Sequence, residues 1–556
     1  MLNPPLQSEF LEALWSRVLI WDGAIGTQVQ NRDLPLSDYS LANAPETSAV
    51  ALVRERVGDT PLEGSTEVLN LTRPDVLADI HASYLAVGSD IIETNSFGAT
   101  SIVMGEFDAP ELVADIARAA GEIAVAQARK FTAETGRRRF VAGGLGPGTK
   151  LVTLGQTTFD VLEATYTEAF TQLIHAGVDV LLLETLQDLL QVKAGLVAAR
   201  RAMAETGQRL PIIVQVTIEQ TGTMLLGSEM GAALNMCECF PEVVAFGMNC
   251  ATGPVEMGEH VRFLAQHSTR PISIQPNAGL PVMEKGRAVY KLTPAELANH
   301  HERFITEFGA GLVGGCCGTT PEHLRAVVQR IQDRPHGTIA HWQQQRHLFP
   351  GFDFEIRMPE QGEAKSLKGA SSLYQFVPYR QDLSYLTVGE RTNANGSKQF
   401  REMLAAENWD GLVEMAREAE GEGSHMLDVC TAYVGRDEVR DMTTLLRLYN
   451  QHVTVPIMID STEVPVVEAA LRTLAGKPMI NSINFEDGEA RTRKILEFCR
   501  TYGAGVVALT IDERGMAKSK EEKVAVAERI LAMTREYGLP DHDVFFDCLT
   551  FTLGSG

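Results

Sequence analysis

Short apolar runs alternate with longer amphipathic stretches throughout the first 335 residues. The amphipathic stretches have the period of about 3.6 residues that is typical of helices, whereas each apolar run has only the length of a buried strand. Strands separated by helices pair in parallel through right-handed crossovers, so the pattern predicts repeated βαβ units. The apolar runs lie at 18–21, 90–94, 140–146, 179–185, 212–218, 243–250, 272–277 and 311–316.

Eight parallel strands predict a closed (β/α)8 barrel of the TIM type. In such barrels the functional side chains lie at the carboxyl ends of the strands. Polar residues end or follow most of the strands predicted here. They are Asp22, Glu93, Asn95, Glu184, Asn249, Cys250, Asn277, Cys316 and Cys317.

The alternation of apolar runs with amphipathic stretches stops after residue 335 and restarts after residue 382. Residues 336–382 have no sustained period, which predicts a long linker that runs over a domain surface. Further strands are predicted at 385–390, 425–430, 455–460, 478–485, 505–511 and 544–549. An open sheet would leave an unpaired edge, so we expect a second barrel that is truncated after about six strands. The predicted organisation is a barrel over 1–335, a linker over 336–382 and an incomplete barrel over 383–556.

Composition narrows the class of protein. The net charge of −23 over 556 residues disfavours nucleic acid and anionic membranes as partners. No run approaches the ~20 apolar residues of a membrane span, and residues 1–5 do not resemble the start of a signal peptide. We therefore expect a cytoplasmic protein, in which eight cysteines indicate buried thiols or metal ligands rather than disulfides.

Three of those cysteines follow predicted strands. Cys250 ends the sixth run, and the adjacent Cys316 and Cys317 follow a Gly-Gly pair after the eighth. Three sulfur ligands with one open position are typical of a catalytic zinc site, with Asn277 as a possible weak fourth ligand. The alternative is simple burial of small apolar side chains. Cys237 and Cys239 form a rival pair, for which burial within a helical stretch is the favoured interpretation.

The second half has its own polar set. Glu390, Asp428, Asp460, Asn481 and Asp547 all lie at or near the ends of predicted strands, and Asp512 and Glu513 follow the fifth strand. Carboxylates and amides without a basic cluster suit a heterocycle whose N–H groups need acceptors, and they do not suit a phosphate. The alternative is that each aspartate caps a helix.

The first half resembles the homocysteine S-methyltransferase family. The matching motifs are Trp-Asp-Gly-Ala-Ile-Gly-Thr at 21–27, Glu-Thr-Asn-Ser-Phe at 93–97, Glu-Thr at 184–185, Gly-Met-Asn-Cys at 247–250, Gln-Pro-Asn-Ala-Gly at 275–279 and Gly-Gly-Cys-Cys-Gly-Thr at 314–319. The resemblance implies that Cys250, Cys316 and Cys317 bind Zn²⁺, with the homocysteine sulfur as fourth ligand. It also implies that Asp22 and Glu184 hold the substrate ammonium, while backbone amides of the 23–27 turn receive its carboxylate.

The second half resembles the pterin-binding barrels of folate-dependent methyltransferases. The matches are Val-Gly-Glu-Arg-Thr-Asn at 388–393, Met-Ile-Asp-Ser at 458–461 and Pro-Met-Ile-Asn-Ser at 478–482. The resemblance implies that Glu390, Asp460, Asn481 and Asp547 bind 5-methyltetrahydrofolate, with Asp460 and Asn481 as catalytic residues. Cys430 departs from the family, which usually has asparagine there.

The order of the two halves resembles the front half of the cobalamin-dependent methionine synthases. This likeness implies methyl transfer from 5-methyltetrahydrofolate through cobalamin to zinc-activated homocysteine, which gives methionine and tetrahydrofolate. The Asp-x-His-x-x-Gly signature of a cobalamin module is not found in the sequence, so we expect cobalamin-binding and reactivation domains to be supplied from outside this chain. The alternatives are a stand-alone homocysteine S-methyltransferase with an accessory folate-binding barrel, and a zinc storage or scaffold protein.

Overall fold

The first half of the chain folds into an eight-stranded parallel sheet that curves into a barrel. The structure, a computed structural model, describes residues 8–284, 287–334 and 366–550. In the first half the strands are β1 (Leu19–Ile20), β2 (Ile91–Glu93), β3 (Phe140–Leu145), β4 (Val180–Leu186), β5 (Ile212–Val216), β6 (Val243–Asn249), β7 (Ile272–Gln275), β8 (Val282–Glu284), β9 (Arg287–Val289) and β10 (Leu312–Val313). The sheet order is β1-β10-β7-β6-β5-β4-β3-β2, and β8 and β9 form a separate antiparallel hairpin.

Helices cover the outside of this barrel. The backbone N–H of Asp90 donates to the carbonyl of Ile20 at 2.7 Å, which joins the two ends of the sheet. The α-helices of this half are Glu9–Ser16, Ile25–Gln30, Ser48–Val57, Leu69–Thr72, Pro74–Val87, Ser101–Gly105, Val113–Thr135, Phe159–Ala176, Leu189–Thr206, Met230–Cys237, Pro254–His267, Pro294–Phe308 and Pro321–Ile331.

The second half forms a parallel sheet of six strands. After the hairpin strands β11 (Gly369–Ser371) and β12 (Phe376–Pro378), its strands are β13 (Val388–Gly389), β14 (Met426–Val429), β15 (Ile457–Asp460), β16 (Met479–Ile483), β17 (Gly505–Leu509), β18 (Ile511–Asp512), β19 (Gly515–Met516) and β20 (Val544–Asp547). The sheet order is β13-β14-β15-β16-β17-β20, while β18 and β19 form a short hairpin. The predicted α/β fold class, two TIM-type barrels in tandem with about six strands in the second, is confirmed.

The helices of the second half alternate with its strands. They are Lys398–Ala405, Trp409–Gly421, Glu438–His452, Val464–Thr473, Ala490–Tyr502 and Lys520–Glu536. None of the helices in the described ranges is both long and apolar enough to cross a membrane.

Part of the predicted linker forms a hairpin between the two barrels. Asn235 of the first barrel donates to the carbonyls of Leu367 and Gly369 at 3.1 and 3.2 Å. On the other side, Ser371 and Lys477 exchange two backbone hydrogen bonds of 3.0 Å each. The hairpin β11–β12 therefore connects both halves, while residues 336–365 lie outside the described residues. The domain boundaries themselves stay predictions.

Candidate functional site

The three cysteines predicted to bind metal lie together at the mouth of the first barrel. Cys250 directly follows β6, and Cys316 and Cys317 follow β10. Their sulfur atoms all lie within 4.8 Å of one another, and the Sγ atoms of Cys250 and Cys317 are 3.8 Å apart. Ligands at ~2.3 Å from a tetrahedral zinc ion are separated by about 3.8 Å, so the spacing suits zinc.

Close backbone packing explains the glycines before the cysteine pair. A Cβ atom on Gly314 would lie 2.4 Å from Cβ of Trp21, and one on Gly315 would lie 2.4 Å from Oγ1 of Thr319. Only glycine permits β10 to approach the turn after β1 this closely. The approach places the cysteine pair next to the loop after β7, where Cys316 N donates to Pro276 O at 2.9 Å.

The loop after β7 joins the two cysteine segments. The backbone N–H of Cys250 donates to Gln275 O at 3.2 Å, and Ala278 N donates to Cys317 O at 2.9 Å. Within the described residues, Oδ1 of the buried Asn277 has no hydrogen-bond partner. A buried amide oxygen without a donor is costly, so Asn277 is suited to the weak fourth-ligand role predicted for it.

Hydrogen bonds among the three cysteines change their pKa values in opposite directions, because they raise the pKa of the Cys316 thiol and lower that of the Cys317 thiol. Hydrogen bonds with Cys250 and Cys316 lower the pKa of the Cys317 thiol, and the Tyr290 hydroxyl lowers it further. The ring of Tyr290 packs on Gly318, where an added Cβ would lie 2.2 Å from Cγ of the ring. The sequence did not indicate Tyr290, because it lies after the hairpin β8–β9 and not at the end of a barrel strand.

The rival pair is separated from this cluster. Cys237 is buried at the end of a helix, and Cys239 lies against Gly503 of the second half. Of the residues that the structure describes, only Cys250, Cys316 and Cys317 form a group of three metal-ligating side chains. The geometry therefore favours burial for Cys237 and Cys239.

Three carboxylates lie together in the mouth of the first barrel, on the buried Asp22 and Glu184 and on the partly buried Glu93. Burial raises the pKa of all three, to about 7 for Glu93, and repulsion by Glu93 adds to the increase at Asp22 and Glu184. Asn249 fixes the β4 end of this group, because its Oδ1 accepts from Thr185 N at 2.7 Å and its Nδ2 lies 3.4 Å from Glu184 Oε2. The arrangement provides an acidic environment that suits a substrate ammonium.

The turn at 23–27 has fewer free amides than expected. The N–H of Ala24 donates to Thr319 Oγ1 at 3.3 Å, and Thr27 Oγ1 accepts from Gly318 N at 3.0 Å. The amide of Ala24 is therefore engaged within the protein. The predicted carboxylate-binding role of the other amides stays a prediction.

In the second barrel, one amide connects two of the polar residues at the mouth. Nδ2 of Asn393 donates to Oδ2 of Asp428 and to Oδ2 of Asp460, both at 2.6 Å. Asn481 Nδ2 donates to the other oxygen of Asp428 at 3.2 Å. Burial raises the pKa of Asp428 to about 6, against the hydrogen bond from Asn393. Asp460 and Asn481 are thus linked through Asn393 and Asp428.

The remaining predicted residues lie at the margin of this network. Glu390 is exposed, and its charge raises the pKa of Asp460 after the larger effect of burial. Asp547 is exposed at the end of β20 and accepts from Leu549 N at 2.8 Å. Asp512 pairs with Arg514, and Glu513 pairs with Arg529, so those two carboxylates are engaged in ion pairs.

Two further residues support this mouth. Asn395 Nδ2 lies 3.3 Å from the Sγ of Cys430. Arg491 donates to the carbonyls of Thr462, Ser482 and Ser461 at 2.8–2.9 Å, which fixes the loop after β15 relative to the end of β16. No motif in the sequence indicated Arg491, because it lies on a helix and its partners are backbone atoms.

Comparison with known proteins assigns the first half of the chain to a protein family. Residues 19–331 match the family model of homocysteine S-methyltransferases. The chain belongs to the homocysteine S-methyltransferase family. Residues 389–556 match the model of pterin binding enzymes, so a homocysteine S-methyltransferase unit is followed here by a pterin-binding one. The likeness predicted from the sequence motifs is confirmed for both halves.

Two relatives match this chain over both of its halves. The methionine synthase of Mycobacterium leprae is 44% identical over 553 residues, which are 99% of this chain and 42% of that protein. The methionine synthase of Mycobacterium tuberculosis is 43% identical over 556 residues, 99% of this chain and 43% of that protein. The chain thus spans less than half the length of either relative. Among solved structures, the oxidised homocysteine methyltransferase MmuM of Escherichia coli is 20% identical, covers 59% of this chain and 100% of its own, and has a TM-score of 0.43.

Proposed function

We propose that this chain carries the homocysteine and folate sites of a cobalamin-dependent methionine synthase. The proposed reaction transfers a methyl group from 5-methyltetrahydrofolate to homocysteine, which gives tetrahydrofolate and methionine, with cobalamin as the carrier between the two sites. The observation that carries this proposal is the union of a three-sulfur cluster in a homocysteine S-methyltransferase barrel with a second barrel that matches pterin-binding enzymes.

The cysteine cluster would hold Zn²⁺ through Cys250, Cys316 and Cys317. Bound zinc supplies a positive charge that keeps a coordinated thiol ionised at neutral pH, and a thiolate is the nucleophilic form. The 3.8 Å separation between two of the sulfurs and the unpartnered Oδ1 of Asn277 among the described atoms support this assignment.

The chain's own residues would orient the amino-acid part of homocysteine. Asp22 and Glu184 offer buried carboxylates to the ammonium. Asp22 follows β1 and Glu184 lies near the carboxyl end of β4, in the same mouth as the sulfurs. A buried carboxylate is stabilised by a cation. Binding of the ammonium would therefore also stabilise the ionised form of these two groups.

In the second barrel, the network around Asn393 would present acceptors to a pterin. Asp460 receives one hydrogen bond from Asn393, and among the described residues none donates to its other oxygen, which could accept from a ring N–H. Asn481 donates one N–H to Asp428, and its second N–H and its oxygen would serve the ligand. Glu390 and Asp547 would complete the contacts at the margin.

The two methionine synthases support methionine as the product, whereas the role of cobalamin rests on the resemblance described for the sequence. The proposal includes cobalamin-binding and reactivation domains as partners of these two barrels. Given free methylcobalamin, the zinc-loaded chain should methylate homocysteine.

The decisive experiment is metal analysis of single variants. We expect about one zinc per chain in the native protein and a loss of stoichiometric zinc in Cys250→Ala, Cys316→Ala and Cys317→Ala. Cys237→Ala is the matched control, because this thiol is buried outside the cluster and should leave the zinc content unchanged. Full zinc in Cys316→Ala, together with undiminished homocysteine methylation from methylcobalamin, would refute the proposal.

A further inference from the structure

A chain of side-chain hydrogen bonds crosses the interior of the first barrel and ends on Glu93. Gln215 Nε2 donates to Ser273 Oγ at 2.8 Å and to Gln275 Oε1 at 2.6 Å. Gln275 Nε2 then donates to Glu93 Oε1 at 2.7 Å. Trp21 joins the chain through its Nε1, which donates to Ser273 Oγ at 3.0 Å. Gln215, Ser273, Gln275 and Trp21 are all buried.

The direction of these bonds is fixed. Because Gln275 uses its oxygen to accept from Gln215, its amide N–H points to Glu93. An ionised carboxylate is acceptor-only, so the chain is arranged to hold Glu93 in place with one oxygen satisfied. Removal of Glu93 from water nevertheless raises the pKa of its carboxyl and so opposes its ionisation.

Glu93 lies beside two other carboxylates that need a cation. Its backbone N–H donates to Asp22 Oδ2 at 3.1 Å, and its charge raises the pKa of both Asp22 and Glu184. Within the described part of the chain, no donor reaches Oδ1 of Asp22, although this side chain is fully buried. Among the described residues, the main causes that shift the pKa of these three groups include no cationic side chain. The described part of the protein therefore supplies no evident counter-charge to this acidic group.

We propose that Glu93 is a third acceptor for the substrate ammonium and makes the first barrel select amino thiols over thiols that lack the amine. An ammonium group has three N–H donors, and Asp22, Glu93 and Glu184 offer one carboxylate for each of them. The inference rests on the proposed function, since it assumes that homocysteine binds in this mouth. Glu93 then acts as a specificity residue, positioned by Gln275 and Gln215.

The test compares two ligands that differ by the amine. Homocysteine and 4-sulfanylbutanoate share the thiol, the carbon chain and the carboxylate, and calorimetric titration of the zinc-loaded 556-residue chain gives both affinities. The native protein should prefer homocysteine, and Glu93→Gln should reduce this preference at least about tenfold, because a hydrogen bond to a charged group is lost. Glutamine keeps the acceptor for Gln275. Glu122→Gln, at an exposed position of the helix Val113–Thr135 in the same barrel, is the control and should leave the preference unchanged.

The outcomes separate this inference from the proposed function. An unchanged preference in Glu93→Gln would overturn the specificity role, and so would an equal loss of affinity for both ligands, which indicates a structural role. Failure of the native zinc protein to bind either thiol would overturn the proposed function as well. Thermal unfolding of the ligand-free variant at pH 8 gives a second readout. We expect it to be at least as stable as the native protein, because a partly buried charge next to two other carboxylates is removed, and a clear loss of stability would contradict the proposal.

Discussion

At the scale of single residues, Asn393 shows how one amide can order a binding site. Its two N–H groups are divided between Asp428 and Asp460, and its Oδ1 accepts from Asn395 N at 2.8 Å. Its amide nitrogen and its amide oxygen are therefore both engaged within the protein. The two carboxylates lie on neighbouring strands and would repel each other more strongly without this shared donor.

Replacement of Asn393 should weaken folate binding. In Asn393→Ala, the carboxylates of Asp428 and Asp460 lose a donor that lowers the pKa of each, so they become harder to keep ionised and to orient. Loss of a hydrogen bond to a charged group is worth ~1.5–3 kcal/mol, and we expect affinity for 5-methyltetrahydrofolate to fall roughly tenfold or more. Calorimetric titration measures this change. Gln399→Ala, at an exposed position of the following helix Lys398–Ala405, is the control, and equal affinities of the two variants would contradict the prediction.

The sequence located these residues but not their contacts. The Gly-Glu-Arg-Thr-Asn motif placed Asn393 at a strand end, yet its partners lie 35 and 67 residues further along the chain. Glu93 was likewise placed at a strand end, whereas its link to Gln275 spans 182 residues. Which side chains meet across a barrel depends on strand register and twist, and neither can be derived from spacing within one segment.

At the scale of elements, the strands were predictable and the hairpin β11–β12 was not. The strands of the first barrel are almost entirely buried on both faces, so they appear as continuous apolar runs that sequence alone reveals. The hairpin has only three residues in each strand, and it is stabilised by contacts with Asn235 and Lys477 rather than by a pattern of its own. Such tertiary stabilisation leaves no local signal.

The contact between β6 and β7 gives a prediction at this scale. A Cβ atom on Gly247 would lie 1.7 Å from Ser273 O, so the two strands below Cys250 would have to separate in Gly247→Ala. We expect the free energy of unfolding to fall by more than ~3 kcal/mol, measured by urea denaturation.

A second glycine provides the matched control for that substitution. Gly258 lies in the helix Pro254–His267, where an added Cβ would have nothing within 4 Å. Gly258→Ala should stabilise the protein by ~0.5–1 kcal/mol, because alanine restricts the unfolded chain and favours the helix. Similar stabilities of the two variants would show that the close approach of β6 and β7 is not essential.

At the scale of the whole molecule, charged side chains connect the two halves. Arg472 of the second half pairs with Asp160 and with Glu163, the latter at 2.8 Å, and its guanidinium lies 4.6 Å from the ring centroid of Phe159. Nearby, the fully buried Lys193 of the first half donates from Nζ to Leu474 O at 2.5 Å. The interface therefore includes an ionisable group that is excluded from water.

Lys193 should make the stability of this molecule depend on pH. Burial lowers its pKa to about 7, whereas a lysine in an unfolded chain has a pKa of about 10.4. Between these values the unfolded chain binds a proton that the folded protein does not, so the free energy of unfolding rises with pH across this range. Lys193→Met removes the titrating amine. The variant also loses the hydrogen bond to Leu474 O, and this loss has the same effect at every pH.

The difference in the free energy of unfolding between the native protein and Lys193→Met should therefore change with pH in one direction. The variant should gain relative stability as the pH falls from 9.5 to 7.5, by ~1–2 kcal/mol after allowance for partial relaxation around the ammonium. Urea denaturation at the two pH values measures the difference, and other titrating groups cancel because both proteins share them. Lys193→Arg is the opposite case, since a guanidinium stays charged throughout and should destabilise the interface at both pH values. A stability difference between native protein and Lys193→Met that does not change with pH would mean that the lysine keeps its charge when buried between the two halves.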